Sequence, residues 1–263
     1  MGVPYAEVIG DPIAHSKSPL IHNFWLKALG VEGDYRATRV TANELDDYLD
    51  ARRADPDWRG CNLTMPLKQC VVNRLDTVHR QARQIGAVNA IGRGEDGRLH
   101  GRNTDVHGVA RCLDHIASSG LTAIVIGAGG AARAAAYILR TYSAAHVTVI
   151  NRSVERGQEL LRDFHLAGRA TDETRIAAAD LVINAAPLYA PFRLDALDPA
   201  AVVFDMIYDP AQGALLAEAR RRGLRAVDGL TMLVHQAAEA FSVFFKRYPP
   251  AGRSEELRAL LES

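Results

Sequence analysis

The stretch Leu121-Thr-Ala-Ile-Val-Ile-Gly-Ala-Gly-Gly-Ala-Ala-Arg-Ala-Ala-Ala-Tyr-Ile-Leu139 decides the fold. Its apolar run, residues 123–126, ends in glycines, and an alanine-rich helical segment follows at once. That order predicts a buried strand, a tight turn and a helix whose first turn is open to an anion. Gly127 allows the turn, and Gly129 and Gly130 carry no side chain that would keep a phosphate from the backbone N–H groups. Ala131 and Ala132 let the helix sit close to the sheet. The free N–H donors and the positive dipole end of the helix then suit a pyrophosphate. A glycine signature alone is a weak signal, but here the strand before it and the helix after it are both present, as the motif requires. Gly127, Ala128, Gly129, Gly130 and Ala131 are the candidate pyrophosphate residues.

Working outward, the next strand, His146-Val-Thr-Val-Ile150, places its end where NAD-binding chains carry an acidic residue for the ribose 2′-hydroxyl. This chain has Asn151-Arg152-Ser153 there, followed by Arg156. A carboxylate would repel a 2′-phosphate, whereas a guanidinium binds it bidentately, so the expected cofactor is NADP. Arg156 either shares that phosphate or pairs with Glu155 or Glu159 on a solvated helix face.

The first part of the chain alternates strand and helix. Strands are expected at 6–9, 34–40 and 60–65, the last stopped by Pro66. A helix should open with Ser18 as N-cap and Pro19 at its first position, and end before Gly30. Thr41-Ala-Asn-Glu44 reads as a capping box. Segments 87–91 and 99–103 flank Glu95-Asp96-Gly97 as a hairpin. Beyond Ile150, strands are expected at 179–184, 201–205 and 224–227, with helices at 154–164, 211–222, 232–245 and 254–261. The fold expected is α/β with two domains. Residues 1–103 and 230–263 form an α/β substrate-binding and catalytic domain, and residues 104–229 a Rossmann-like NADP-binding domain. The C-terminal helices return to the first domain, leaving a cleft for substrate.

In 263 residues, Lys+Arg and Asp+Glu balance at 31 each, which removes any global attraction to nucleic acid or an anionic membrane. Cys61, Cys70 and Cys112 are odd in number and lack metal-ligand spacing, so a reduced cytoplasmic chain with no metal is expected. No basic-then-apolar leader and no membrane-length apolar run is visible.

Several polar clusters fall at expected strand ends. Ser16 and Ser18, at a helix start, suit a small carboxylate, or else Ser18 is only a cap. Gly60-Cys-Asn-Leu-Thr-Met-Pro-Leu-Lys68 brings Asn62, Thr64 and Lys68 to a strand end, and Gly101-Arg-Asn-Thr-Asp105 brings Asp105. Lys68 and Asp105, if they meet, make an acid–base pair for moving the proton of a carbinol while hydride leaves its carbon. Otherwise Lys68 is surface, and Asn103 or Asp105 caps a helix.

Together with Gly10-Asp-Pro-Ile-Ala-His-Ser-Lys-Ser-Pro-Leu-Ile-His-Asn23, Gly86-Ala-Val-Asn-Ala-Ile91, Asp205-Met-Ile-Tyr208 and Asp228-Gly-Leu-Thr-Met-Leu-Val-His-Gln236, these motifs run through nearly the whole chain. In that set the chain resembles the shikimate dehydrogenase family, which reversibly reduces 3-dehydroshikimate with NADPH. The resemblance implies that Lys68 and Asp105 are the catalytic pair. It implies that Ser16, Ser18 and Tyr208 hold the substrate carboxylate, and that Thr64, Asn89 and Gln236 hydrogen-bond its ring hydroxyls. It places Asn151, Arg152, Ser153 and Arg156 at the adenosine phosphate, and Met206, Gly229 and Met232 beside the nicotinamide. A monomer or homodimer with small-molecule partners is implied, without nucleic acid or membrane. The chain departs from the family pattern at Ala186, where Thr or Ser is expected, at Tyr189 for Gly, at Thr231 for Gly and at Ala90 for Thr. Quinate or an amino analogue remains open as substrate, and so does a non-catalytic NADPH-binding regulator, which would not need Lys68 and Asp105 together.

Overall fold

The computed structural model describes residues 2–114, 116, 119–187, 192–208 and 213–262. The chain divides into two units, Met1–Thr104 with Leu233–Ser263, and Asp105–Met232.

The first unit runs β1 (Tyr5–Gly10), α1 (Ser18–Leu29), β2 (Asp34–Arg39), α2 (Leu45–Ala54), β3 (Trp58–Leu63), α3 (Leu67–Cys70), β4 (Thr77–Val78), α4 (Arg80–Ile85), β5 (Ala90–Arg93) and β6 (Leu99–Arg102). Its six-stranded sheet has the order β2-β1-β3-β5-β6-β4. Strands β2, β1 and β3 are parallel, while β5 runs antiparallel to both β3 and β6. Side chains alternate across β1 as a strand demands. Ala6 and Val8 pack with Tyr35 and Phe244 on one face, and Tyr5 and Ile9 with Leu45, Leu49 and Trp58 on the other.

Glu7 sits in the middle of this buried strand and is itself fully buried. Its carboxylate accepts from Arg52 Nε at 2.7 Å and Nη2 at 3.1 Å, from Thr38 Oγ1 at 2.6 Å and from Tyr48 Oη at 2.7 Å. Burial alone would raise its pKa, but these hydrogen bonds and the Arg52 charge outweigh that and hold it below the usual value. His22 on α1 is also fully buried, stacked on Tyr35 with ring centroids 4.0 Å apart, and neither ring nitrogen has a hydrogen-bond partner among the described residues.

The start of α1 differs from the sequence expectation. Lys17 holds the N-cap position without a side-chain cap, and Ser18 is the first helical residue. Ser16 Oγ instead accepts from the Ser18 N–H at 3.3 Å, so the local turn is made one step earlier. The Thr41–Glu44 box is half formed. Glu44 Oε2 accepts from the Thr41 N–H at 2.8 Å, but it also takes the Thr41 hydroxyl, at 2.7 Å.

The second unit runs α5 (Asp105–Leu113), β7 (Thr122–Ile126), α6 (Gly130–Thr141), β8 (His146–Ile150), α7 (Val154–Asp163), β9 (Gly168–Thr171), β10 (Leu181–Asn184), β11 (Val202–Asp205), α8 (Ala214–Arg221) and β12 (Arg225–Val227). All six strands are parallel, in the order β12-β11-β10-β7-β8-β9. The winding reverses between β7 and β10, the position where open parallel sheets bind ligands outside the strand carboxyl ends. Helix α9 (Gly229–Phe245) begins in this unit and continues into the first. Asp228 Oδ1 accepts from the Thr231 N–H at 2.9 Å and its hydroxyl at 3.0 Å, so Asp228 caps the start of α9. In α10 (Ser254–Glu262), Leu257 and Leu261 are buried, and Lys17 Nζ on the first unit donates to the Leu261 carbonyl. Among the described residues no helix is long and apolar enough to cross a membrane.

Candidate active site

In the second unit the site grows from the turn between β7 and α6. Gly127 takes φ +103°, a conformation side chains resist, and a Cβ there would lie 2.7 Å from Ala186 Cβ. Gly129 precedes α6 with no side-chain cap, and a Cβ built on it meets nothing within 4 Å. The first turn of a twelve-residue helix therefore opens onto space a side chain would fill. Backbone donors in an open cradle at a helix N-terminus fit a dinucleotide pyrophosphate.

One strand over, β8 ends at Ile150 and Asn151 turns the chain, its N–H donating to Thr171 O at 2.9 Å and its Nδ2 to Ser153 O at 2.8 Å. Ser153 caps α7, its Oγ accepting from the Arg156 N–H at 3.3 Å. Glu155 takes the Ser153 hydroxyl at 2.9 Å. Arg152 and Arg156, just beyond the end of β8, are exposed. A third strand end holds a pair that sequence reading left out. Asn184 and Asp205 close β10 and β11, paired in register and each about 1% exposed. Burial pushes the Asp205 carboxyl up, against the hydrogen bonds it accepts. Met206 and Met232 are buried, Gly229 opens α9, and Tyr208 is half-buried. Asp105 is the first residue of α5 and is buried. Tyr189 lies outside the described residues.

In the first unit the polar residues form one connected cluster. Tyr35 Oη donates to Asn62 Oδ1 at 2.7 Å, and Asn62 Nδ2 donates to the Asn89 carbonyl at 3.1 Å. Asn89 Oδ1 accepts from the Thr104 N–H at 2.6 Å, and Asn89 Nδ2 donates to Gln236 Oε1 at 3.4 Å. Sequence reading named Asn89 and Gln236, and the structure brings them together although 147 positions separate them. Tyr35 was missed because its hydroxyl partner lies on another strand. Asn103 donates to Ala87 O at 2.9 Å and ties the loop before β5. Thr64 and Lys68 flank the turn after β3. Thr64 N–H donates to Ile9 O at 2.9 Å, and Lys68 O accepts from the Val88 N–H at 2.7 Å, so both main chains are pinned to neighbouring segments. A Cβ on Gly10 would lie 2.4 Å from Thr64 Cγ2, so glycine there lets Thr64 approach β1. Ser18 is buried and Ser16 half-buried at the start of α1.

Comparison with known proteins gives the same picture from outside. A model described as the shikimate dehydrogenase substrate binding domain matches residues 8–91. One for shikimate / quinate 5-dehydrogenase matches 111–191, and one for the shikimate 5′-dehydrogenase C-terminal domain matches 229–253. A Sphingopyxis alaskensis protein named shikimate dehydrogenase (NADP(+)) is 47% identical over 265 residues, spanning 98% of this chain and 97% of its own. The Thermus thermophilus shikimate 5-dehydrogenase, solved with NADP(H) and shikimate, superposes with a TM-score of 0.84 at 36% identity, covering 98% of this chain and 99% of its own. The ligand-free 5-ketofructose reductase of a Gluconobacter species superposes equally well, at 0.84, with 28% identity and coverage of 100% and 99%.

Proposed function

The chain belongs to the shikimate dehydrogenase family, and we propose that it reversibly reduces 3-dehydroshikimate to shikimate with NADPH. What carries this reading is the coexistence of two chemistries: an open glycine cradle followed by arginines, and a buried amide–hydroxyl cluster beside a lysine. The first suits a dinucleotide phosphate, and the second suits a small polyol.

When bound, NADPH supplies the hydride. Gly127, Ala128, Gly129, Gly130 and Ala131 hold its pyrophosphate, while Asn151, Arg152, Ser153 and Arg156 hold the 2′-phosphate. Met206, Gly229 and Met232 border the nicotinamide. Ser16, Ser18 and Tyr208 bind the substrate carboxylate, and Thr64, Asn89 and Gln236 its ring hydroxyls. Lys68, as ammonium, stabilises the ketone oxygen as negative charge grows there and gives it the proton that completes the alcohol. Asp105 keeps that ammonium oriented and accepts a substrate hydroxyl. Residues 1–103 with 230–263 supply most of the substrate contacts and residues 104–229 most of the NADP contacts, in a cytoplasmic monomer or homodimer.

Steady-state rates with shikimate, quinate and 5-ketofructose (its reduction direction), each with NADP(H) and NAD(H), test the reading. Shikimate with NADP should give the highest kcat/KM. A higher value with either other substrate, or equal use of NAD, would overturn it.

A further inference from the structure

We propose that Asn184 and Asp205 are positioning residues for the nicotinamide half of the dinucleotide, an inference that rests on the NADPH site proposed above. Each side chain folds the chain as it leaves the sheet. Asn184 Oδ1 accepts from the Ala186 N–H at 3.3 Å, and Asp205 Oδ1 from the Ile207 N–H at 2.9 Å. These are two turns of the same kind on neighbouring strands, each built by a residue on the N–H two positions ahead. They are then tied together, because Asn184 Nδ2 donates to Asp205 Oδ1 at 2.8 Å. A main-chain bond runs beside it, from the Met206 N–H to Asn184 O at 2.9 Å.

The place of this pair gives it a role beyond holding strands. Strand β10 borders β7 across the reversal of winding, where ligands lie outside the strand ends. The turn that Asn184 builds sets Ala186 against Gly127, the first residue of the cradle. The turn that Asp205 builds carries Met206. One buried hydrogen bond therefore fixes the spacing between the cradle side and the Met206 side of the place where the nicotinamide rests. Burying a carboxylate and an amide at strand ends is unfavourable unless both are satisfied, and the two turn N–H groups and the cross-link do that together. Apolar side chains would pack there more simply, as they do along the rest of both strands.

The test measures binding, not turnover. NADPH and 2′-phospho-ADP-ribose, which lacks the nicotinamide, are titrated into the unmodified protein and three variants, with the emission of bound NADPH recorded. Asn184→Asp sets an acceptor against Asp205 Oδ1. It should weaken NADPH about tenfold and blunt its emission change, with the probe held within about twofold. Asn184→Ser keeps a turn acceptor too short to cross-link and should show the same split. Asp205→Asn keeps the accepting oxygen and should bind like the unmodified protein. Equal weakening of NADPH and probe, or unchanged NADPH affinity in both Asn184 variants, would overturn the positioning role alone. An unmodified protein that binds neither molecule overturns the NADPH reading and takes this inference with it.

Discussion

In the first unit a carboxylate lies in mid-strand, with Glu7 held by Arg52, Thr38 and Tyr48 inside β1. In the second unit β7 has no charged residue, and β10 and β11 stay apolar until their last residues, Asn184 and Asp205. The reason is architectural. A wholly parallel sheet is covered by helices on both faces, so polar groups are tolerated only where strands end. Such a sheet offers ligands its helix N-termini and loops. The mixed sheet of the first unit includes an antiparallel hairpin and short strands, and it gathers side chains from several elements into one polar cluster. An open helix N-terminus in one unit and a cluster of polar side chains in the other is the difference between them.

Substituting single side chains sharpens that contrast, and the largest effect belongs to Lys68. Lys68→Ala should lower kcat by about 10²–10⁴, while NADPH affinity, measured by fluorescence titration, stays within about twofold because the cradle is main chain of the other unit. Loss of NADPH binding together with kcat would break the division of labour.

Next comes Glu7. Glu7→Ala leaves Arg52 without its carboxylate and should cost about 3 kcal/mol in urea unfolding, the lower end for breaking a buried pair since Arg52 is partly solvated. Acid tests the same pair in the unmodified protein. The folded-state pKa of Glu7 is depressed, so its contribution is full above the ordinary 4.5 and fades as the pH falls through the lower folded value. In Glu7→Ala that part of the acid loss should vanish, and a denaturation profile in which it persists would assign the loss to other carboxylates.

Arg152→Ala comes third. A charge-assisted contact to the 2′-phosphate is worth about 1.5–3 kcal/mol, so the KM for NADP should rise about tenfold or more, with NAD kinetics unchanged. An equal rise for both cofactors would mean that Arg152 shapes the turn rather than reading the phosphate.

Ser18→Ala should have the smallest effect. Ser18 makes no capping bond, so stability should change by less than about 0.5 kcal/mol, while the KM for shikimate rises. A drop in melting temperature with KM unchanged would return Ser18 to a purely structural role.

Sequence reading found the features written locally. The strand, turn and helix around Gly127 were legible because an apolar run, glycines and alanines follow one another directly, and the hairpin because Asp96-Gly97 separates two short runs. Strand β9, Gly-Arg-Ala-Thr, escaped notice: it is a sheet edge, four residues long, and carries no apolar alternation. Strand β4, two residues long, and helix α4, six residues with two arginines and two glutamines, escaped for the same lack of pattern. The Asn184–Asp205 pair was out of reach for another reason. Each residue alone reads as a polar strand end, and only the register of β10 on β11 joins them across 21 positions. The partners of Glu7 were hidden likewise, since Thr38, Tyr48 and Arg52 come from a strand and a helix that only the tertiary fold brings to β1.

The stacked imidazole of His22 has a consequence for the life of this chain in acid. Burial lowers its pKa to about 3, whereas in the unfolded chain it titrates near 6.5. Between those values the unfolded chain holds a proton that the folded chain refuses. The contribution to stability is therefore full above 6.5 and declines towards 3, by about 1.4 kcal/mol for each pH unit. Glu7 begins to lose its own contribution only below 4.5, so the two groups act in succession. Mild acidity thus reaches the first unit through an uncharged ring between aromatic side chains before it reaches the carboxylate, and acid shifts this protein towards its unfolded form by way of a residue that takes no part in the proposed proton transfer.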